Sequence, residues 1–225
     1  MSDRETIKVM VVDDHTLFSQ TLGRVLGNEP DLEMVGTAGS VVEARAMARR
    51  AQPDVVLMDY RLSDGVGTEA ARQIREDRPE TKVVMLTGFP EDSVLIAAIG
   101  VGCSGYIAKD AAVEEVISAV RAAAAGEALI PPEMLLRLLP RLRRDTHHTV
   151  FTLSSRELDV LRLLARGLSN AAMADEMALS VNTIRKHVQS ILAKLDAHSK
   201  LEALAKAVQG GLVEIGRDAG PRARP

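Results

Sequence analysis

The chain has 225 residues, of which 46% are hydrophobic and 26% charged, and its formal net charge is −3. A chain of this length has room for one large domain or two small ones. No run approaches the roughly 18 consecutive apolar residues of a membrane helix, and the first residues lack the basic and then apolar pattern of a signal peptide. The single cysteine, Cys103, excludes an internal disulfide and fits a reducing compartment. We therefore expect a cytoplasmic protein with no membrane partner.

Charge is distributed unevenly along the chain. Residues 1–130 carry a net charge of −8, residues 131–150 carry +2 and residues 151–225 carry +3. An acidic front and a basic rear predict two domains with different partners. We expect an α/β domain, a linker with a short helix, a small all-α domain and a disordered tail, at residues 1–128, 129–148, 149–215 and 216–225.

Apolar runs alternate with helical patterns along the first 125 residues, which indicates βαβ units around a parallel sheet. The predicted strands are Ile7–Val12, Leu32–Ala38, Val55–Asp59, Lys82–Thr87 and Gly105–Ala108. The predicted helices are Leu17–Leu26, Val41–Ala51, Thr68–Arg78, Asp92–Gly100 and Val113–Ala125. The second strand ends in no charged residue, which suits an outer position. The pattern therefore predicts a doubly wound, flavodoxin-like sheet of five parallel strands in the order 2-1-3-4-5.

Polar residues follow four of these strands. Asp13 and Asp14 follow the first, Asp59 ends the third, Thr87 ends the fourth and Lys109 follows the fifth. The carboxyl ends of parallel strands face one crevice, so these side chains can converge. Three carboxylates, a hydroxyl and an ammonium suit a divalent cation and a phosphoryl group.

Four motifs, at the separations they have here, resemble the receiver domain of bacterial response regulators. They are Val11–Asp14, Met58–Asp59, Leu86–Thr87 and Gly105–Lys109. The resemblance covers about residues 5–126. It implies that a partner histidine kinase phosphorylates Asp59. It further implies Mg²⁺ as cofactor, held by Asp13, Asp14, Asp59 and the backbone carbonyl of Arg61, and support of the phosphoryl group by Thr87 and Lys109.

The resemblance also implies a switch at Thr87 and Tyr106. Phosphorylation draws Thr87 toward the new oxygens, and the space that it leaves lets Tyr106 turn inward. The alternative is that Tyr106 merely packs with its hydroxyl in water. For His15, beside the acidic pair, the start of a helix is favoured over a metal role, because imidazole is a poor Mg²⁺ ligand.

Two other functions compete with this interpretation of the domain. A slow metal-dependent phosphohydrolase could use Asp59 as its nucleophile, but such enzymes need a second carboxylate two residues on, where this chain has Arg61. A regulator gated by a small apolar ligand is disfavoured by an aromatic content of 2%, and only an apolar cavity in this domain would favour it. We therefore predict neither an enzyme nor a small-molecule substrate.

The pattern changes after Gly126. Pro131–Pro132 and Pro140 bound a short amphipathic helix, Glu133–Leu139, and a polar basic linker follows. Four helices are predicted beyond it, the first capped by Ser154 or Ser155 with Glu157 placed for a capping box. Their ranges are about 155–166, 169–177, 182–195 and 200–209. The second and third have the spacing of a helix-turn-helix.

Four segments of this region resemble the LuxR-type DNA-binding domain of NarL/FixJ regulators. They are Leu153–Glu157, Gly167–Asn170, Thr183–His187 and Lys194–Leu195. Residues 170–174 depart from that pattern, because Asn-Ala-Ala-Met-Ala stands where a Lys-Glu pair usually precedes Ile-Ala. The missing lysine removes one supporting phosphate contact. The resemblance implies a transcriptional regulator that binds double-stranded DNA, with base contacts from Arg185, Lys186 and Gln189 and backbone contacts from Asn182, Thr183, His187 and Lys194.

The last helix has an apolar stripe that includes Leu201, Leu204 and Val208. Part of that stripe must close the core of the small domain. The resemblance implies that the remainder pairs two such domains as a homodimer on DNA. The charge split further predicts that the acidic domain shields the basic one until phosphorylation releases it, the alternative being that phosphorylation pairs two receivers.

Overall fold

The computed structural model describes residues 6–88, 91–127 and 152–213. The chain divides into two compact units, with the division between residues 129 and 130. The predicted short helix Glu133–Leu139, the linker and the tail lie outside the described residues, and the bounds of the four predicted segments remain predictions. Among the described helices, none is long and apolar enough to cross a membrane.

The first unit contains the predicted doubly wound sheet. Its seven strands are β1 (Ile7–Val12), β2 (Leu32–Ala38), β3 (Val55–Asp59), β4 (Arg61–Leu62), β5 (Gly65–Val66), β6 (Lys82–Thr87) and β7 (Gly105–Ala108). Five of them form a parallel sheet in the order β2-β1-β3-β6-β7, whereas β4 and β5 form a small antiparallel hairpin. The predicted fold and strand order are confirmed, and the hairpin was not predicted.

The central strands are apolar on both faces because helices cover both faces of the sheet. The helices are α1 (Thr16–Leu26), α2 (Val41–Ala51), α3 (Gly67–Asp77), α4 (Asp92–Gly100) and α5 (Val113–Ala124). One cluster of buried side chains joins β1, β3 and β6 to α1 and α5. The five strands have the predicted bounds, and the helices differ from their predicted bounds by at most one residue at either end.

Strand register brings the polar strand ends to one edge of the sheet. Val12 pairs with both Ala38 and Met58, Asp59 pairs with Leu86, and Thr87 pairs with Ala108. The residues that follow these pairs therefore emerge together. The geometry of this edge defines the candidate site.

Between residues 152 and 213, the second unit forms four helices: α6 (Ser155–Ala165), α7 (Asn170–Met177), α8 (Val181–Lys194) and α9 (Lys200–Gln209). Each begins after a serine whose hydroxyl accepts the backbone N–H three residues on; these serines are Ser154, Ser169, Ser180 and Ser199. Local sequence therefore fixes where each helix starts, because such caps bind N–H groups that have no partner within the helix.

The turn between α7 and α8 passes through Ala178, whose φ of 53° lies in the left-handed region. Ile184, Val188 and Ile191 form the buried face of α8. The helix-turn-helix arrangement predicted from the sequence is therefore present in the structure.

Candidate functional site

Two buried carboxylates and one exposed carboxylate meet at the carboxyl edge of the sheet. Asp13 and Asp59 are 2% and 4% exposed, whereas the side chain of Asp14 is 31% exposed. Asp13, Asp14, His15 and Asp59 each offer a ligand atom, and these atoms lie within 4.8 Å of one another. The three aspartates predicted to hold the metal are therefore brought together.

Lys109 supplies the positive charge of the cluster. Its Nζ lies 2.6 Å from Asp13 Oδ2 and 2.7 Å from Asp59 Oδ2, and it also stands 5.1 Å from the centre of the Phe18 ring. Burial alone lowers the pKa of Lys109, but the hydrogen bonds to the two carboxylates outweigh it and raise that pKa. Lys109 therefore stays charged and can move from a carboxylate to a phosphoryl oxygen.

Burial raises the pKa of Asp59, and the hydrogen bond from Lys109 offsets this only in part. The carboxylate is therefore more basic than an exposed aspartate. A more basic oxygen is also a better nucleophile, provided that cations neutralise the charge of the incoming group.

Thr87 and Tyr106 are both buried beside this edge, at 4% and 3% exposure. Tyr106 is therefore turned inward here, with its hydroxyl out of contact with water. The coupling between Thr87 and Tyr106 remains a prediction.

The β4–β5 hairpin follows Asp59 directly and carries Arg61. Tyr60 donates its backbone N–H to Leu86 O at 3.3 Å, and Gly67 donates its own to Tyr60 O at 2.7 Å. A Cβ built on Gly67 would stand 1.8 Å from Asp59 O, so no residue larger than glycine fits there. The first turn of α3 therefore presses against the backbone of Asp59 and fixes its position.

His15 precedes α1 as its N-cap residue, which agrees with the favoured interpretation. Its Nδ1 lies 3.2 Å from Asp13 Oδ1 and 2.9 Å from Asp14 Oδ1. The imidazole therefore contacts carboxylates that are predicted to face the cation.

A cavity of about 630 Å³ opens over the cluster. Six of its lining side chains are acidic or basic: His15, Asp59, Arg61, Glu91, Lys109 and Asp110. A cavity over the phosphoacceptor is the space that a phosphodonor needs. Phe18 and Val94 also line the cavity, so the cavity alone does not separate a phosphodonor from an apolar ligand.

The donor set of this site fits Mg²⁺. Carboxylate oxygens are hard ligands, and Mg²⁺ usually binds one or two carboxylates, keeps several waters and takes further oxygens from a phosphate. The cluster offers three carboxylates beside an open cavity.

The predicted DNA-binding surface lies on α8. Arg185, Lys186 and Gln189, the predicted base readers, are exposed, whereas the apolar residues of α8 face the core. Asn182 and Lys194 are also exposed, and Thr183 and His187 are partly so. On α7, Ala171 and Ala172 are exposed at the point where the resembled family usually has a Lys-Glu pair. The predicted base readers therefore share the solvent-facing side of α8.

Lys194 also has a partner within the domain. Its Nζ lies 2.7 Å from Glu157 Oε2, and Ser190 donates its hydroxyl to Glu157 Oε1 at 2.6 Å. Ser154 completes the predicted capping box with the same carboxylate. The bond to Lys194, followed by that to Ser190, lowers the pKa of Glu157 to about 2. Glu157 therefore ties the start of α6 to the last turns of α8.

Leu201, Leu204 and Val208, the predicted dimerisation residues, are 2%, 6% and 3% exposed. Pairing two domains through these side chains would first require their exposure. Their role in a dimer remains a prediction.

Sequence reasoning missed three contributors to the site: Phe18, Asp64 and Gly67. The sequence Asp64–Gly65 is a common turn signal and could have indicated the hairpin, although the two turn residues are Ser63 and Asp64 and Gly65 begins β5. No comparable pattern marks Phe18, because it meets Lys109 only through the fold.

Comparison with known proteins agrees with both halves of the chain. Residues 9–121 match the family described as "Response regulator receiver domain", and residues 151–207 match "Bacterial regulatory proteins, luxR family". The response regulator protein VraR of Staphylococcus aureus is 35% identical over 209 residues, which cover 93% of this chain and all of VraR.

Solved structures give the same result. A two-component response regulator of the LuxR family from Aurantimonas sp. SI85-9A1 is 28% identical with a TM-score of 0.56, over 61% of this chain and 98% of that one. The signal receiver domain of the putative response regulator NarL from Mycobacterium tuberculosis is 30% identical with a TM-score of 0.52, over 55% of this chain and 99% of that one. The chain therefore belongs to the response regulators that join a receiver domain to a LuxR-type DNA-binding domain, and it is a phosphorylation-controlled transcription regulator.

Proposed function

We propose that Asp59 is the residue that accepts the phosphoryl group, from a partner histidine kinase. One observation carries this proposal. The ammonium group of Lys109 and the buried carboxylate of Asp13 lie beside Asp59, and an open cavity lies above them. A phosphodonor can enter from that side, while the sheet and α3 hold the other side of Asp59.

Each side chain has a defined part in the transfer. An oxygen of Asp59 attacks phosphorus, the bond from phosphorus to the donor atom breaks, and the electron pair of that bond leaves with the donor. Lys109 lies within 2.7 Å of Asp59, so it can follow the charge onto an equatorial phosphoryl oxygen. Thr87 ends β6 at the same edge of the sheet, and it would donate its hydroxyl to another such oxygen.

Asp13, Asp14 and Asp59, with the carbonyl of Arg61, would hold Mg²⁺. Bound there, the cation neutralises charge that builds up between the carboxylate and the phosphoryl group. Arg61 stands two residues after the phosphoacceptor, where a phosphohydrolase needs an acid or base, so hydrolysis of the phosphorylated form should be slow.

The output is binding of double-stranded DNA through α8. Arg185 and Lys186 suit guanine and Gln189 suits adenine in the major groove. Asn182, Thr183, His187 and Lys194 would contact the backbone. A structure entitled "Structure of two RcsB dimers bound to two parallel DNAs" has this chain's fold at 22% identity. We propose that this protein likewise acts on DNA as a homodimer, in the cytoplasm where bacterial DNA lies.

Mass spectrometry after incubation with Mg²⁺ and acetyl phosphate tests the first proposal. The wild type and Asp54→Asn should each gain one phosphate, because Asp54 lies at the other end of β3, where it binds the backbone of Lys8. Asp59→Asn should gain none. Equal labelling of Asp59→Asn would refute the assignment.

The roles of the α8 residues are tested by measuring binding to DNA sites, which a genome-wide map of bound DNA identifies. Arg185→Ala should cost on the order of 1–3 kcal/mol at such a site and relax the preference at one base pair. The control, Arg162→Ala, removes an exposed cation of α6 that pairs with Asp159. Unchanged discrimination by Arg185→Ala between specific and random duplexes would remove Arg185 from the base readers.

A further inference from the structure

Asp64 connects two segments of the receiver that the sequence places far apart. Its two carboxylate oxygens accept the backbone N–H groups of Val41 at 2.6 Å and Val42 at 3.2 Å. These are the first two residues of α2, so both groups lack partners within the helix. An anionic carboxylate at this end also interacts favourably with the helix dipole. The Val41 bond accordingly lowers the pKa of Asp64.

The same two segments are joined a second time by the neighbouring residue. Ser63 donates its hydroxyl to Gly39 O at 3.0 Å and its backbone N–H to the same oxygen at 3.4 Å. The hairpin that begins at Arg61 is therefore bound at its turn to residues 39–42, which we call the β2–α2 junction.

The β2–α2 junction in turn lies beside the acidic pair. Asp13 donates its backbone N–H to Ala38 O at 2.9 Å, and a Cβ on Gly39 would stand 3.7 Å from both Asp13 O and Asp14 Cα. A continuous set of contacts thus runs from the segment of Asp13 and Asp14, through the junction and Asp64, to the hairpin.

We propose that Asp64 is a positioning residue for the magnesium site. It holds the hairpin against the β2–α2 junction, and thereby keeps the carbonyl of Arg61 at a fixed place relative to Asp13 and Asp14. This inference rests on the proposed function, because it requires that Asp13, Asp14, Asp59 and Arg61 hold the cation.

A merely structural Asp64 would stabilise the receiver without changing its affinity for Mg²⁺. Asp54 provides the matched control, since its Oδ2 accepts the backbone N–H of Lys8 at 2.8 Å and joins two segments at the opposite end of the sheet. Asp54→Ala therefore removes a carboxylate–amide bond of the same kind far from the cation.

The experiment is a Mg²⁺ titration of the full-length, unphosphorylated protein, followed through backbone amide NMR resonances, with thermal unfolding measured in parallel. Loss of a group bound directly to a metal ligand typically weakens metal affinity about 10- to 100-fold. Asp64 acts one step further away, so Asp64→Ala should weaken it by about 3- to 10-fold. Asp54→Ala should lower the unfolding temperature but leave the affinity within about twofold of wild type.

Asp64→Asn is a second variant for the same titration, and it tests the proposal even if Asp64→Ala does not fold. Its single carbonyl oxygen can accept one of the two N–H groups, so its affinity should fall between those of wild type and Asp64→Ala.

Each failure has a separate meaning. A wild type that binds no Mg²⁺ would overturn the proposed function. A wild type that binds Mg²⁺, with Asp64 variants that bind it equally well or with an equal loss in Asp54→Ala, would overturn only the positioning role of Asp64.

Discussion

Replacing Gly67 by alanine should disrupt the phosphoacceptor from a position that carries no reactive group. The new Cβ would stand 1.8 Å from Asp59 O and 2.9 Å from both Asp59 C and Met58 Cγ. To reach 3.4 Å, where ordinary contact begins, the Asp59 carbonyl and the start of α3 would have to separate by about 1.6 Å.

Backbone lies on both sides of this contact, so rotation of a side chain cannot relieve it. Overpacking of a core typically costs about 1–3 kcal/mol and occasionally more. Because strand β3 and the Gly67–Tyr60 hydrogen bond would both have to move, we expect a loss of at least about 3 kcal/mol in the free energy of unfolding.

Urea unfolding of the full-length protein, followed by circular dichroism, measures this loss. Gly100→Ala is the matched control, because a Cβ built on Gly100 at the end of α4 meets nothing within 4 Å. That variant should be neutral or slightly more stable, by up to about 1 kcal/mol. Labelling of Gly67→Ala by acetyl phosphate should also fall, since the carboxylate of Asp59 is displaced. A Gly67→Ala protein with wild-type stability and labelling would refute the argument.

Three further predictions concern charge. Glu157→Gln should lower the free energy of unfolding by about 1–3 kcal/mol at pH 7. Because the pKa of Glu157 in the folded protein, about 2, lies below the ordinary 4.5, the difference in stability between wild type and Glu157→Gln should shrink as the pH falls from 4.5 toward 2. A difference in stability that does not change with pH would contradict the ion pair. Lys109→Met should bind Mg²⁺ more tightly than wild type, because the ammonium no longer neutralises Asp13 and Asp59, and weaker binding in an NMR titration would count against this. Residues 149–216 made alone should bind the target without phosphodonor and more tightly than the unphosphorylated full chain at one fixed salt concentration; equal or weaker binding would favour the pairing of receivers instead.

The sheet and its reactive edge could be predicted from the sequence because buried parallel strands are continuous apolar runs. Asp59 ends one such run and Lys109 follows another, so strand order alone placed them together. The hairpin gave no such pattern, because strands of two residues, of which only Leu62 is buried, have no periodicity to detect.

Contacts between distant residues were also beyond sequence reasoning. Glu157 was identified as a capping residue from its spacing to Ser154, but its bond to Lys194 spans 37 positions. The apolar stripe of α9 was recognised, yet periodicity shows only which residues share a face. It could not show that Leu201, Leu204 and Val208 would all be buried.

The four serine caps bear on the speed with which each half of the chain folds. In the second unit, each helix has its start fixed by a serine only three residues away, and its neighbours follow within short turns. In the first unit, β1 pairs with β3, and the paired residues Val9 and Val55 are 46 positions apart in the sequence. Low contact order favours folding in microseconds to milliseconds, whereas distant parallel pairing is slow. During synthesis, the half that folds more slowly therefore leaves the ribosome first.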